Sequence, residues 1–190
     1  MRIPDWNPET HPHPPELLQT VLARRGGELF NLDKALLWSG PVATGWHAYF
    51  QHVRANLTAP RKLCELGICT VALLTGADYE YHHHAPDFLK AGGREDELSA
   101  LVQSVQQDPV KGVTQAALGP VERLVVQYAA QMTQNIQVDD ALFQSLQTHM
   151  DTTALVELTT VIASYNMVSR ILIALQIRPE VSKAEHDLNA

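Results

Sequence analysis

Apolar residues recur at three- and four-residue spacing along most of this chain and almost never alternate, which predicts helices and argues against strands. From Pro14 to Arg25 the segment PPELLQTVLARR carries leucines and a valine at that spacing and stops at Gly26-Gly27. Asn31 can cap a short helix, LDKALLWS. Pro41 then opens PVATGWHAYFQHVRANL, in which Val42, Trp46, Phe50 and Val53 should face a core. Thr58 is the expected cap, and Pro60 the first turn, of a helix through Leu74; from Leu66 onward (LGICTVALL) it is apolar on every face, the mark of a central helix. Gly76 ends it. The next helix runs from about Ala77 to Lys90 and stops at Gly92-Gly93, with a kink expected at Pro86, which cannot bond the His82 carbonyl. A solvated helix from Arg94 to Gln106 precedes a loop holding Pro109 and Gly112. Helices from Pro120 to Gln134, from Asp139 or Asp140 to Met150, and from Thr152 to Ile177 complete the chain. Asp151 should cap the last of these, which lays Leu155, Leu158, Ile162, Tyr165, Val168, Leu172 and Leu175 along one stripe. The pattern predicts a single all-α domain over residues 1–190 with about eight helices. Its ordered core should span about 14–177, with weakly ordered tails at 1–12 and 179–190.

Composition narrows the partners. A chain of 190 residues with 45% apolar content suffices for one core, and a domain of that size buries ~70% of the surface its unfolded chain exposes. The net charge of −7 and the dispersal of 14 Lys and Arg argue against nucleic acid or an anionic membrane as the main partner. The N-terminus has no apolar export segment, and no uncharged apolar run approaches the ~20 residues that span a bilayer, so a cytoplasmic location is expected. Cys64 and Cys69 are the two cysteines. Five residues apart on one helix, they stand about 140° apart around its axis, too divergent for a bridge, and are expected as buried thiols in a reducing compartment.

The chemistry concentrates in YEYHHHA, residues 79–85. Glu80 and His84 are four apart on one helix face, and His83 and Asp87 repeat that spacing on a neighbouring face. Either pair by itself suits a solvated ion pair. Glu65, at the start of an otherwise apolar helix, adds a constraint: a buried carboxylate needs Arg61, Lys62, a helix N-terminus or a histidine as partner.

These residues resemble the carboxymuconolactone decarboxylase and alkylhydroperoxidase D superfamily. Its peroxidases carry a Glu, eleven residues, a Cys, two residues, a second Cys, three residues and a His; the same frame falls on Glu65, Ala77, Glu80 and His84, with both thiols replaced. YEYHHHA is similar to the motif of non-redox members, and RRGGELFNLDKALL (24–37) and LVELTTVIASYNMVSRIL (155–172) resemble the flanks of that subgroup. The resemblance spans roughly residues 14–175. It implies a helical bundle of the alkylhydroperoxidase D-like type, assembled as a dimer, trimer or hexamer. It also implies Glu65 as an orienting carboxylate, Glu80 in place of the resolving thiol and His84 as the proton-transfer histidine. Tyr79 stands where the peroxidases have a further histidine. Tyr79, His83, Trp46, Phe50, Tyr165 and Asn166 are candidate pocket residues, although core packing or a helix-to-helix hydrogen bond accounts for several of them equally.

Three classes of function remain open. The first is a cofactor-free acid–base enzyme, of the decarboxylase, lactone or enol type, acting on a small carboxylated molecule. The second is a small-molecule binding or assembly protein with a degenerate site. The third is a metal-dependent enzyme using Glu65, Glu80 and His84. No cofactor is implied by the first two, and a thiol peroxidase cycle lacks its cysteine pair.

Overall fold

The computed structural model describes residues 1–180. Among them are nine helices and no strand: α1 (Pro15–Arg25), α2 (Asn31–Leu36), α3 (Gly40–Ala55), α4 (Arg61–Thr75), α5 (Asp78–Lys90), α6 (Glu95–Gln106), α7 (Pro120–Gln134), α8 (Asp140–Gln147) and α9 (Thr152–Leu175). The fold is all-α, as the spacing predicts. The described residues form two compact units, residues 1–55 with 174–180, and residues 56–173.

The first unit holds α1, α2 and α3. Ala43, Trp46, His47, Phe50 and Val53 form the buried arc of α3, while Val42, expected in the core, is 50% exposed because it lies at the edge of that arc in the first turn. A buried charge cluster joins α1 to α2. Asp33, fully buried, receives Arg24 Nη2 at 3.0 Å and Arg25 Nε at 2.7 Å, and the Phe30 N–H donates to the same carboxylate at 3.3 Å. Residues 1–12, expected as a loose tail, are tied down here. The Arg2 N–H donates to the Leu175 carbonyl at 2.8 Å, Trp38 Nε1 donates to the Pro4 carbonyl at 2.9 Å, and Trp6 is buried. These bonds satisfy backbone groups that a tail would leave to water. Of the expected C-terminal tail, residues 181–190 lie outside the described residues.

The second unit is built on α4, against which α5, α6 and α7 pack. Nine successive residues of α4, Cys64 to Ala72, are buried, as its all-round apolarity requires. No side chain caps its N-terminus, where Pro60 and not Thr58 takes the cap position, and α9 instead holds the segment just before it. The Glu157 carboxylate accepts the N–H groups of Thr58 and Ala59, both at 2.7 Å. Its far end closes at Gly76, whose φ of 68° suits a residue without a Cβ and lets the Ala77 N–H donate back to the Ala72 carbonyl at 2.9 Å. That left-handed residue turns the chain directly into α5, so that α4 and α5 lie side by side. α5 runs unbroken through Pro86.

Lys62 ties α4 to α6 and α7 through Glu97 at 2.8 Å and Glu122 at 3.0 Å. The Asp151 carboxylate caps α9 by accepting the Ala154 N–H at 2.8 Å, as expected. On α9, Leu155, Leu158, Ile162, Tyr165, Val168 and Leu172 are buried. By length and composition α9 could cross a bilayer, but half of its most apolar window is buried inside the protein.

Phe88, fully buried on α5, packs so closely on Gly93 that a Cβ at that position would overlap its ring. Gly93→Ala should therefore force Phe88 out of place and lower stability by about 1–3 kcal/mol. Urea unfolding reads this directly, and an unchanged midpoint would mean that the ring yields without cost.

Candidate functional site

The left-handed turn at Gly76 brings the start of α4 and the middle of α5 together, and there three sequence-predicted residues meet. Glu65 (0% exposed), Glu80 (2%) and His84 (5%) are all buried. His84 Nδ1–H donates to Glu65 Oε2 at 2.7 Å, and His84 Nε2 lies 3.1 Å from Glu80 Oε2. Both ring nitrogens thus face carboxylates, one from a neighbouring helix and one from the preceding turn of its own. Arg61, one turn before Glu65, forms an ion pair with Glu65 Oε1, and its side chain remains 44% exposed. The result is a line of alternating charge, Arg61–Glu65–His84–Glu80, with its cationic end open to water.

Burial by itself would push His84 toward the neutral ring, but the hydrogen bonds to Glu65 and then Glu80 outweigh it and hold its pKa above 6.5. The two carboxylates thus favour the imidazolium form, which shares its two protons with them. Asp87, three residues on, bonds Lys90 at 2.8 Å. Although burial opposes it, that bond, together with the charges of Lys90, His84 and Arg61, keeps the Asp87 carboxyl ionised to lower pH than usual. The donor atoms of Glu65, His84 and Asp87 lie within 4.8 Å of one another.

Tyr165 of α9 reaches this site: its ring meets the His84 ring edge-on with centroids 4.8 Å apart. Asn166 is engaged elsewhere, since its Nδ2 donates to Thr133 Oγ1 at 3.0 Å and joins α9 to α7. Tyr79 is buried with its ring 4.6 Å from that of His83, and His82 is exposed. Trp46 and Phe50 pack on each other in the first unit, centroids 4.5 Å apart, whereas the carboxylate–histidine cluster is assembled within the second. Cys64 and Cys69 are buried free thiols. Burial pushes Cys64 up to about 11 and Cys69 further still, so neither supplies a thiolate at neutral pH. Arg61 was visible in the sequence only as one possible partner for Glu65, and nothing in the spacing singled out His47, which is buried among apolar residues of α3.

Solved structures similar to this chain share one architecture. An uncharacterized peroxidase-related protein from Silicibacter sp. TM1040 superimposes with a TM-score of 0.72 at 18% identity, over 90% of this chain and 87% of that one. The alkylhydroperoxidase AhpD core protein from Ralstonia eutropha JMP134, also an uncharacterized peroxidase-related protein, gives 0.71 at 17% identity, over 94% and 92%. The fold is that of the AhpD-like proteins. A third neighbour is the debrominase Bmp8, solved as a cysteine-to-alanine variant with 2,3,4-tribromopyrrole. It gives 0.73 at 16% identity, over 95% of this chain and 92% of that one. No protein-family model matches the sequence, and no curated protein is significantly similar to it.

Because the pKa of His84 is raised on folding, its ion pairs contribute their full stability below about pH 6.5, the unfolded value. That contribution is lost as pH rises through the higher folded-state pKa. The stability difference between the wild type and His84→Gln should accordingly shrink as pH rises above about 6.5. Chemical denaturation at several pH values measures it, and a constant difference across that window would mean that the folded ring is neutral.

Proposed function

We propose that this chain is a non-redox member of the carboxymuconolactone decarboxylase and alkylhydroperoxidase D superfamily. It would act as a cofactor-free acid–base enzyme on a small carboxylated or enolisable molecule, such as a β-keto acid or an unsaturated lactone. The observation that carries this reading is the buried chain Glu65–His84–Glu80, in which one imidazole bonds a carboxylate at each nitrogen. Such a chain can hold a proton on His84 and deliver it at Glu80. Glu65, neutralised in part by Arg61, orients the ring and balances its charge.

With Nδ1 and Nε2 both committed to carboxylates, the group that meets substrate in this reading is the Glu80 carboxyl, with His84 as its proton reservoir. Glu80 occupies the place of a peroxidase thiol in the sequence frame, so proton transfer would replace thiol chemistry at the same point of the fold. A divalent ion on Glu65, His84 and Asp87 is chemically possible by donor type and distance. It would require a neutral His84, however, and the two flanking carboxylates favour the protonated ring. The donor set therefore supports proton transfer over metal ligation.

Assembly as a homo-oligomer in the cytoplasm belongs to the same reading. Val156, Ala163 and Met167 are exposed within about 40° of arc on α9, an apolar row suited to a second copy. Light scattering at micromolar concentration should give a mass above the 21.1 kDa of one chain. A single chain's mass at every concentration would remove assembly from the proposal.

The acid–base assignment is tested with a panel of β-keto acids, unsaturated lactones and muconate-like diacids. For whichever is turned over, His84→Gln should lower kcat by ~10²- to 10⁴-fold, and Glu80→Gln should lower it by a similar factor because it removes the terminal carboxyl. Wild-type kcat in His84→Gln would show the histidine to be structural. Turnover lost in His84→Gln but kept in Glu80→Gln would mean that His84 addresses the substrate itself.

A further inference from the structure

Decarboxylation of a β-keto acid breaks one C–C bond, releases carbon dioxide and leaves an enolate that takes up one proton. Each turnover of that kind therefore draws a proton, ultimately from water. The groups that would hand it on, Glu65, His84 and Glu80, are all buried. A buried relay delivers one proton and must then be recharged, so a proton-exchanging group has to connect it with solvent.

Arg61 and Asp87, both beside the relay, reach water. The Arg61 side chain is 44% exposed and pairs with Glu65, but a guanidinium keeps its protons in proteins and neither takes nor gives one. Asp87 differs in that respect. It follows His84 by three residues and Glu80 by seven, on one face of α5, and its side chain is 39% exposed. A carboxylate oxygen of Asp87, a ring nitrogen of His84 and a carboxylate oxygen of Glu65 lie within 4.8 Å of one another. A small side-chain rotation or one bridging water turns that span into a hydrogen-bonded path.

The charges around Asp87 set the direction of transfer. Lys90 bonds it at 2.8 Å, and the charges of Lys90, His84 and Arg61 act with that bond to keep the carboxyl ionised, although burial opposes it. An ionised carboxylate at the surface is ready to capture a proton. Once captured, the proton passes downhill to a neutral His84, whose own pKa is held above 6.5.

We infer that Asp87 is the proton port of the buried relay, taking a proton from water at its carboxylate and passing it to His84 after the imidazole has given one to Glu80. The O–H bond formed on Asp87 breaks as the N–H bond forms on His84, and no further reactant is consumed. The role of the port in turnover rests on the proposed acid–base function, whereas its existence is measurable without substrate.

Exchange of the His84 ring N–H protons with water tests it, followed by NMR on the full chain with nitrogen-labelled imidazoles. Asp87→Asn should slow this exchange by about 10²-fold, the low end of what a positioned proton-transfer group contributes, and Asp87→Glu should restore most of it. Charge alone predicts the opposite sign, since removing an anion beside an imidazolium makes its protons more acidic and quickens their loss. Lys90→Gln breaks the same ion pair as Asp87→Asn but keeps the carboxylate, so its exchange should stay fast. An unchanged or faster rate in Asp87→Asn, or equal slowing in Lys90→Gln, would overturn the inference. A substrate panel without turnover would instead remove the proposed reaction and leave the port standing, because no substrate enters the exchange measurement.

Discussion

The hydrogen bond between Glu65 and His84 is the contact on which the second unit depends. It joins the central helix α4 to α5 at a point where both side chains are buried. A carboxylate at 0% exposure is stable only with compensating charge, and here Arg61 and His84 supply it from opposite sides. Removing His84 would leave Glu65 buried with only the partly exposed Arg61 as its cation, and losing one partner of a buried pair costs about 3–5 kcal/mol. The left-handed turn at Gly76 sets the geometry that makes the bond possible, because it reverses the chain between the two helices within a few residues.

The first unit solves the same electrostatic problem with different residues. Asp33, also at 0% exposure, is held by Arg24 and Arg25, so both units bury a carboxylate clamped by basic side chains. The difference lies in what titrates nearby. Carboxylates bond His84 and favour its charged form, whereas burial first, and then Arg24, favour the neutral form of His47. Two buried histidines of one chain are driven to opposite protonation states by their surroundings.

The AhpD-like architecture, shared with proteins at 16–18% identity, leaves the chemistry open. At the buried site of this chain stand Glu65, Glu80 and His84, with Ala77 at the turn into α5. Its thiols, buried at Cys64 and Cys69, lie on α4 and are pushed toward their protonated forms by burial. The site consequently offers proton-exchanging groups and lacks an accessible thiolate.

Much of the fold was legible in the sequence because helical periodicity is a local signal. The stripe of α9, the all-round apolarity of α4 and the stop at Gly76 each follow from residues within a few turns of one another. The spacing of Glu65, Glu80 and His84 was legible in the same way, and a buried Glu65 called for a partner on chemical grounds alone. Tertiary structure decided the rest. That Arg61 and His84 together neutralise Glu65, that both nitrogens of His84 are taken, that Tyr165 leans on its ring and that residues 1–12 are bound down all depend on contacts between segments far apart in the chain. His47 shows the limit most plainly: its place on the buried arc of α3 follows from spacing. The burial and the nearby arginines that keep it neutral exist only once α1, α2 and α3 have packed.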